Sequence, residues 1–572
     1  MSSDQLGPDQ RRAALARMAR DVFDVVVVGG GVTGCGCALD AATRGLSVAL
    51  VEQRDYASGT SSRSSKLIHG GLRYLEQRDF ALVREALRER SLLLRHICPH
   101  LVHPVPFLFP LERQWQRAYI GAGVLLYDSI GGAGAVPRHR HLSRQQALEL
   151  APALRPDALV GAIQYYDAQV DDARHTVTVA RTAALYGAAC ASSARVVGFL
   201  RAGERVAGVR VRDLESGDEI EVRARAVINA AGVWTDELQD FVGGRGKFRV
   251  RASKGIHLVV PRDRLPADTG IILRTEKSVL FVIPWGRHWI IGTTDTDWNL
   301  DLAHPAASRA DIDYVLGHVN TVLRTPLRHE DIEGVYAGLR PLLAGESDET
   351  SKLSREHAVA QPVPGLVVVA GGKYTTYRVM ARDAVDVATR TLDHPVPASC
   401  TQVVPLVGAA GYQAQFNARA RLATESGLTV AQVEHLLGRY GSEIGTLQAL
   451  IAERPELARS LPGAEEYLAV EVAYAASHEG ALHLDDVLTR RTRISIETWD
   501  RGLAAAEPAA RLMGGVLGWD QATITRELEH YRARVAAERE SQTQPDDHTA
   551  DAARLGAPDV RMGARADLGQ QR

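Results

Sequence analysis

The pattern of apolar and polar residues predicts a nucleotide-binding sheet at the start of the chain. The apolar run Val25–Val28 ends in glycines, an alanine-rich stretch at 38–42 follows, and a second apolar run covers 47–51. This order predicts a strand, a helix and a second strand, the βαβ unit of a dinucleotide-binding fold. Apolar runs at 225–232 and 365–372 predict two more strands of the same sheet.

The rest of the chain has two other patterns. Apolar and polar residues alternate at 205–212 and 279–283, which is typical of antiparallel strands. Helical periodicity dominates from 413 to 540, and the chain beyond 541 is polar and free of aromatic residues. We therefore predict an α/β fold, with a Rossmann-like domain, an interleaved and mainly antiparallel substrate domain, and an all-helical C-terminal domain.

The same patterns predict where each domain begins and ends. The nucleotide-binding domain is discontinuous, the substrate domain fills its gaps, and both ends of the chain lie outside the domains. The predicted boundaries are 1–20 for a flexible N-terminal extension; 21–95, 171–235 and 346–395 for the nucleotide-binding domain; 96–170 and 236–345 for the substrate-binding domain; 400–540 for the helical domain; and 541–572 for a disordered tail.

Composition excludes several classes of function. The 67 basic and 69 acidic residues give a net charge of −2, so we expect no nucleic-acid partner, since such proteins need a basic surface. Cys35 and Cys37 have no second ligand cluster, so we expect no metal site. The scattered, unpaired cysteines favour a cytoplasmic location. No apolar stretch reaches the ~18 residues of a membrane-spanning helix.

A glycine motif follows the first strand. Gly29-x-Gly31-x-x-Gly34 has the spacing in which the first glycine makes a tight turn, the second admits a pyrophosphate and the third lets helix and strand pack closely. Glu52 ends the next strand, about 20 residues on, where a carboxylate accepts the ribose hydroxyls. The motif and its context predict dinucleotide binding, with a purely structural glycine turn as the alternative.

A serine-rich segment at 60–74 comes next. Taken alone, such a segment is also typical of a flexible loop. It continues, however, into Leu67–Ile68 and the glycine pair Gly70–Gly71. Clustered hydroxyls suit a loop that wraps phosphates, and the glycines let the backbone pass close to a flat ring.

Five blocks of sequence resemble one known family, the FAD-dependent glycerol-3-phosphate dehydrogenases of the bacterial aerobic type, within the glycine oxidase and D-amino-acid oxidase-like superfamily. A looser match at 474–494 resembles the family's helical cap domain. The blocks are Ser-Ser-Lys-Leu-Ile-His-Gly-Gly-Leu-Arg-Tyr (64–74), Lys-Gly-Ile-His (254–257), Ile-Gly-Thr-Thr-Asp (291–295), Gly-Leu-Arg-Pro-Leu (338–342) and Gly-Gly-Lys-Tyr-Thr-Thr-Tyr-Arg (371–378).

The resemblance implies a cofactor, a reaction and partners. The cofactor is FAD, and sn-glycerol 3-phosphate is oxidised to dihydroxyacetone phosphate by hydride transfer from C2 to flavin N5. Electrons then pass to a membrane quinone, and the protein is a cytoplasmic homodimer bound peripherally to the inner face of the cell membrane. The alternatives are a glycerophosphate oxidase that uses oxygen, an amine or amino-acid oxidase of the superfamily, and a non-enzymatic flavin-binding scaffold.

The resemblance also assigns roles to individual residues. Three are assigned to catalysis: His257, Arg340 and Lys373. Five are assigned to substrate binding: Arg73, Tyr74, His257, Arg340 and Lys373. Fifteen are assigned to the cofactor: Gly29, Gly31, Gly34, Glu52, Thr60, Ser61, Ser65, Lys66, Leu67, His69, Gly70, Gly232, Gly372, Lys373 and Thr375.

The chemistry of these side chains agrees with the assigned roles. Arginine binds phosphate bidentately and lysine as a compact charge. His257 is our predicted general base, because histidine titrates near neutral pH; an Arg340-assisted transfer to water or another base is the alternative. Of only six lysines, Lys66, Lys254 and Lys373 lie inside the family blocks, which predicts that those positions need an ammonium group.

Overall fold

The computed structural model describes residues 5–71, 79–130, 135–243, 249–275, 279–344 and 357–561. Strands and helices are numbered here in chain order. The strands are β1 Val22–Val28, β2 Val48–Val51, β3 Leu67–Ile68, β4 His103–Leu111, β5 Arg140–Ser143, β6 Gly161–Gln169, β7 Ala189–Ala191, β8 Ala194–Ala202, β9 Arg205–Asp213, β10 Glu219–Asn229, β11 Val250–Pro261, β12 Gly270–Arg274, β13 Val279–Trp285, β14 His288–Gly292, β15 Thr296–Trp298, β16 Gly334–Leu343, β17 His357–Val363, β18 Leu366–Gly371, β19 Ser460–Leu461 and β20 Ala464–Leu468.

The helices are distributed over the whole described chain, most densely after residue 400. They are α1 Pro8–Arg20, α2 Val32–Thr43, α3 Phe80–Leu92, α4 Gln116–Ile130, α5 Arg144–Leu150, α6 Asp172–Leu185, α7 Thr235–Asp240, α8 Arg309–Asn320, α9 Tyr377–Thr389, α10 Tyr412–Asn417, α11 Arg419–Ser426, α12 Val430–Tyr440, α13 Ile444–Glu453, α14 Ala469–His478, α15 Leu484–Asp486, α16 Ile494–Glu497, α17 Leu503–Leu517, α18 Gln521–Ser541 and α19 Asp547–Leu555.

The first sheet is the predicted Rossmann-like sheet. Its main path runs β17-β18-β10-β1-β2-β7, and β18, β10, β1, β2 and β7 are parallel. Strand β1 is an almost unbroken valine run because a central parallel strand is covered on both faces. One face packs against α2, α6 and α9 in a core that includes Val27, Val177 and Val385. The glycine motif therefore lies at the carboxyl end of the central strand, where doubly wound folds bind ligands.

The second sheet is mainly antiparallel, as predicted. Its path runs β15-β11-β14-β13-β12-β4-β6-β3, with β16 paired to β11 and β5 to β6. The contact between β12 and β4 is its one parallel pairing among the described strands. The segment 67–68, which we had placed in the nucleotide-binding domain, pairs with β6 of this sheet. The serine-rich loop thus passes directly from one domain into the other.

The C-terminal domain is helical and contains one short hairpin, β19–β20, that the pattern did not predict. Its core is formed by buried side chains of α12, α13, α14 and α17, including Leu436, Leu447, Val472 and Met513. The predicted α/β fold with a helical C-terminal domain is confirmed.

The prediction of flexible ends is wrong for the described part of each end. At the N-terminus, helix α1 buries Met18 completely and pairs Arg11 with Asp213. Beyond residue 541, helix α19 buries Ala550, and Arg561 is buried against Asp486. These segments are polar in composition, but their charged side chains have specific partners in the folded protein. Composition alone does not reveal such pairs.

Candidate active site

The glycine motif forms a tight turn between β1 and α2. Gly29 has a φ of 112°, and a Cβ atom there would lie 2.7 Å from the carbonyl oxygen of Ala230. A Cβ at Gly34 would lie 1.8 Å from the carbonyl oxygen of Gly29. No side chain fits at either position, so the N-terminus of α2 lies against the end of β1. Its amide groups then face the space in which a phosphate would lie.

Glu52 is the first residue after β2, where the dinucleotide-binding motif requires a carboxylate. Its carboxylate is buried and accepts hydrogen bonds from the amides of Gly30 (2.6 Å) and Arg54 (2.8 Å). Burial raises the pKa of Glu52, and the two amide donors oppose that rise. The carboxylate is thereby fixed beside the glycine turn, with lone pairs left for further donors.

The serine-rich loop connects the turn to the second sheet. The Ser61 hydroxyl oxygen accepts a hydrogen bond from the amide of Val32 (2.9 Å), at the start of α2. The Thr60 hydroxyl donates to the carbonyl oxygen of Leu339 in β16 (2.6 Å). The loop is therefore an ordered connection between the two domains, and the flexible-loop interpretation is wrong for its described part.

Lys66 connects the serine-rich loop to the start of α6. Its side chain is fully buried, and its ammonium pairs with Asp172 (2.7 Å) and donates to the carbonyl oxygen of Ser62 (3.2 Å). It is not among the residues that line the cavity described below. The side chain thus fixes the serine-rich loop to the start of α6, and the assignment of Lys66 to cofactor binding stays a prediction.

The glycine pair of the loop is held by a buried polar chain that the sequence did not reveal. The amide of Gly70 donates to the Tyr127 hydroxyl (2.7 Å), which donates to Asp167 (2.7 Å). Asp167 also accepts from Arg90 (2.6 Å). Burial raises the pKa of Asp167, and Arg90 opposes that effect. Tyr127, Asp167 and Arg90 come from α4, β6 and α3, and together they fix the position of the serine-rich loop.

A cavity of about 310 Å³ lies between the two sheets. It contains most of the predicted cofactor and catalytic residues, but Gly34, Lys66 and Gly70 do not line it. Arg73 and Tyr74 lie outside the described residues. The predicted residues that line the cavity are Gly29, Gly31, Glu52, Thr60, Ser61, Ser65, Leu67, His69, Gly232, His257, Arg340, Gly372, Lys373 and Thr375.

His257 faces this cavity from β11. Its Nε2 atom is 2.8 Å from the Ser65 hydroxyl, and its ring stacks on Tyr336 with 4.7 Å between centroids. Burial, Arg340 and Lys66, in that order, lower the pKa of His257 well below its usual 6.5. The imidazole is therefore neutral at pH 7 and able to accept a proton.

Arg340 lies in β16, the strand that pairs with β11, and its guanidinium lies beside β11. Its Nη2 atom donates to the Thr293 hydroxyl (3.0 Å) and the Thr294 carbonyl oxygen (3.1 Å). Asp295, at the end of the same family block as Thr293 and Thr294, lies 3.6 Å from Nη1. A Cβ at position 255 would lie 2.4 Å from Nη2, so Gly255 leaves the space for this guanidinium.

The third predicted cation, Lys373, follows the glycines that end β18 and precedes the short 3₁₀ turn Tyr374–Thr376. Parallel strands place their carboxyl ends at one edge of a sheet. Lys373 and the glycine turn therefore meet in one cavity, although they are far apart in sequence.

Comparison with known proteins identifies the family. Residues 24–385 match the family described as "FAD dependent oxidoreductase", and residues 399–524 match the "C-terminal domain of alpha-glycerophosphate oxidase". Glycerol-3-phosphate dehydrogenase 2 of Mycobacterium tuberculosis is 62% identical over 557 residues, covering 97% of this chain and 95% of that protein. The chain belongs to the FAD-dependent glycerol-3-phosphate dehydrogenases.

More distant members of the family match over most of the chain. The mitochondrial glycerol-3-phosphate dehydrogenase of Mus musculus is 38% identical, covering 91% of this chain and 74% of that protein. The crystal structure of the Bacillus halodurans glycerol-3-phosphate dehydrogenase complexed with FAD has a TM-score of 0.77 at 28% identity, covering 93% of this chain and 98% of that one.

The cofactor of this glycerol-3-phosphate dehydrogenase family is FAD, and the cavity suits it. The glycine turn leaves no room for side chains, and Glu52 is fixed beside that turn. Gly29, Gly31, Glu52 and the serine-rich loop would hold the dinucleotide, while His257, Arg340 and Lys373 lie in the same cavity. The individual roles of these residues remain predictions.

Several residues that hold the site were not predicted from the sequence. Tyr336 stacks on His257, Asp172 pairs with Lys66, and Tyr127 positions the glycine pair. Among the residues that hold the site, only Thr293 and Thr294 could have been found from the sequence, because they lie inside one of the five family blocks. Lys254, where we predict a need for an ammonium group, pairs with Asp311 and Asp547 and not with a group in the cavity, because alternate residues of β11 face opposite sides of the sheet.

Proposed function

We propose that this chain oxidises sn-glycerol 3-phosphate to dihydroxyacetone phosphate and passes the electrons to a membrane quinone. The observation that carries the proposal is the meeting of His257, Arg340 and Lys373 in one cavity with the dinucleotide turn. The names of the relatives support the substrate, and the two cations suit a phosphate ester in a protein whose overall charge is near neutral.

Each residue has a defined task in this reaction. FAD, when bound, supplies the hydride acceptor for the hydrogen on C2 of the substrate. His257 accepts the proton of the C2 hydroxyl, and its contacts with Ser65 and Tyr336 hold the ring in place. Arg340 and Lys373 attract the anionic substrate and stabilise negative charge that develops on the C2 oxygen.

The decisive experiment is anaerobic reduction of the flavin. We expect glycerol 3-phosphate to bleach the flavin absorbance of the FAD-loaded protein, and glycerol and amino acids to leave it unchanged, because only the phosphate ester engages the cations. Bleaching by an amino acid but not by glycerol 3-phosphate would contradict the proposal and favour the amine or amino-acid oxidase. A flavin that no substrate reduces would favour the non-enzymatic scaffold.

The electron acceptor is tested separately. With glycerol 3-phosphate as donor, we expect a soluble quinone analogue to be reduced without formation of hydrogen peroxide. Peroxide formed in a one-to-one ratio with the substrate consumed would show the oxygen-using oxidase instead.

We also propose that the protein is a homodimer, and sedimentation of the detergent-free protein tests this.

The proposed membrane contact is supported by an exposed apolar surface formed by Trp115, which precedes α4, and by residues of α4. Trp115, Tyr119 and Leu125 are 61%, 55% and 58% exposed, and Leu126 is exposed beside them. No described helix has both the length and the apolar character needed to span a bilayer. A helix that exposes aromatic and leucine side chains on one face instead suits the lipid interface. Tyr127 on the opposite face of α4 holds the glycine pair of the serine-rich loop.

We expect the triple variant Trp115→Ser, Tyr119→Ser and Leu126→Ser to bind anionic phosphatidylglycerol vesicles about tenfold or more weakly, since each buried CH₂ contributes about 0.8 kcal/mol. Cosedimentation with vesicles measures the effect. The matched control replaces Leu185, Tyr186 and Trp499, which are exposed elsewhere and do not line the cavity, with serine. Equal binding by the two triple variants would contradict the role of α4.

A further inference from the structure

A second cavity, of about 90 Å³, lies behind the serine-rich loop. A single water needs only roughly 10–15 Å³ of such space, so this cavity has room for a small polyatomic ion. Its walls come from the loop, from β16, from the helical domain and from the segment after α18, which extends beyond both matched family regions. Arg63 lines both this cavity and the proposed reaction site.

The charged groups that line the second cavity do not balance. Among the described residues, five arginines line it, at 63, 490, 493, 534 and 554, but only two carboxylates, Asp485 and Glu538. Two of these arginines have close partners outside the lining: Arg490 pairs with Asp55 and Asp486, and Arg493 with Asp171 and Asp172. For the remaining three, Asp485 and Glu538 are the only carboxylates in the described lining.

These three arginines have weak contacts with carboxylates. Arg534 lies 3.6 Å from Asp485, which Arg490 also contacts, and Arg554 lies 3.9 Å from Glu538. Arg63 donates to the carbonyl oxygen of Ala303 (3.3 Å) and has no carboxylate within 4 Å in the described chain. Arg534 and Arg554 are buried, and buried charges are normally closely paired, so these guanidinium groups have less carboxylate contact than their charge requires.

The pKa values of two of these arginines agree with the imbalance of charge in the cavity lining. Burial, followed by the nearby Arg54, Arg554, Arg534 and Arg490, lowers the pKa of Arg63 to about 9. Burial and then Arg534 lower the pKa of Arg554 to about 10, and Glu538, Asp485 and Asp301 oppose that shift only in part. A shift in this direction means that the positive form is penalised by its surroundings, and an anion in the cavity would relieve that penalty.

We propose that this cavity is a second anion-binding site that takes an oxyanion of the size of inorganic phosphate. Arg63, Arg534 and Arg554 would bind it, each from a different part of the fold: the serine-rich loop, α18 and α19. Such an ion would join the C-terminal segment to the serine-rich loop. Tyr336, which stacks on His257, also lines the cavity, so the site adjoins the reaction centre and shares the side chain of Arg63 with it.

The test compares the FAD-loaded wild-type protein with Arg554→Gln in a titration of inorganic phosphate, at an ionic strength held constant with chloride. Any binding of phosphate at the substrate site is common to both proteins and cancels in the comparison. We expect Arg554→Gln to bind phosphate at the second site about tenfold or more weakly by calorimetry, because a charge-assisted bidentate contact is lost. Arg511→Gln, on the exposed surface of α17, is the control.

Thermal unfolding separates a binding role from a purely structural one. Without phosphate, Arg554→Gln is expected to have a Tm equal to or above that of the wild type, because it removes one buried charge whose carboxylate contact is weak. With phosphate, the wild type is expected to have the higher Tm, since a ligand stabilises the state that binds it. A lower Tm for Arg554→Gln by the same amount with and without phosphate would overturn the proposal, as would equal affinity in the two proteins.

Discussion

Replacing His257 with glutamine is expected to lower the rate of flavin reduction at saturating glycerol 3-phosphate by about 10²- to 10⁴-fold, the usual contribution of a general base. Glutamine keeps a polar group near Ser65 but cannot accept the proton of the substrate hydroxyl. Anaerobic stopped-flow absorbance of the flavin measures this rate directly, apart from electron transfer to the quinone.

The pH dependence follows from the direction of the pKa shift at His257. Because burial and the neighbouring cations lower this pKa well below 6.5, the imidazole stays neutral between pH 6.5 and 8. We therefore expect the rate of flavin reduction to show no loss from His257 protonation in that range, and to fall only well below pH 6.5. In the His257→Gln variant, we expect the rate of flavin reduction not to fall in this way at low pH.

Two variants define the role of His257 more closely. Ser65→Ala removes the contact with Nε2 and is expected to cause a smaller loss, because the stacking on Tyr336 still holds the ring. His329→Gln, in a surface pair with Asp313, should leave the rate unchanged. Loss of a general base usually lowers a rate by at least about 10²-fold. A His257→Gln rate within about threefold of the wild type would therefore contradict the assignment and favour proton transfer to water with the help of Arg340.

Local patterns were sufficient to predict the dinucleotide turn. The valine run of β1, the glycines at 29, 31 and 34, and the carboxylate of Glu52 lie within one βαβ unit. The constraints that act on them are therefore short-range and visible in one stretch of sequence. His257, Arg340 and Lys373 were predicted only through a family resemblance, since nothing local distinguishes them from other charged residues.

Long-range ion pairs account for what the sequence did not predict. Lys66 was assigned to the cofactor because it lies in a family block, but its partner, Asp172, is more than 100 residues away. The tail was predicted to be disordered because it is polar, yet Asp547 pairs with Lys254 in the middle of the second sheet. Neither partner follows from periodicity or composition, which report on local structure and average polarity only.

Replacing Asp55 with asparagine is expected to lower the stability of the folded protein by about 3–5 kcal/mol, the usual cost of removing one partner from a buried ion pair. Asp55 is fully buried and accepts hydrogen bonds from Arg490 Nε (2.5 Å) and from Arg491 Nη1 (2.8 Å) and Nη2 (2.7 Å). It lies three residues after Glu52, so this contact connects the dinucleotide site to the helical domain.

The loss of this contact is therefore expected to release FAD as well as to destabilise the fold. Urea denaturation of the FAD-loaded protein, followed by flavin fluorescence and by circular dichroism, measures both effects. Asp157→Asn removes a carboxylate from an exposed pair with Arg155 and should change stability by less than about 1 kcal/mol. The double variant Asp55→Leu with Arg491→Met replaces this pair by apolar side chains and should recover part of the loss, because the desolvation penalty of both charges disappears; Arg490 also loses Asp55 but keeps Asp485 and Asp486 as partners. If Asp55→Asn is no less stable than Asp157→Asn, the two domains are held together mainly by their apolar contacts, and the ion pair does not contribute measurably.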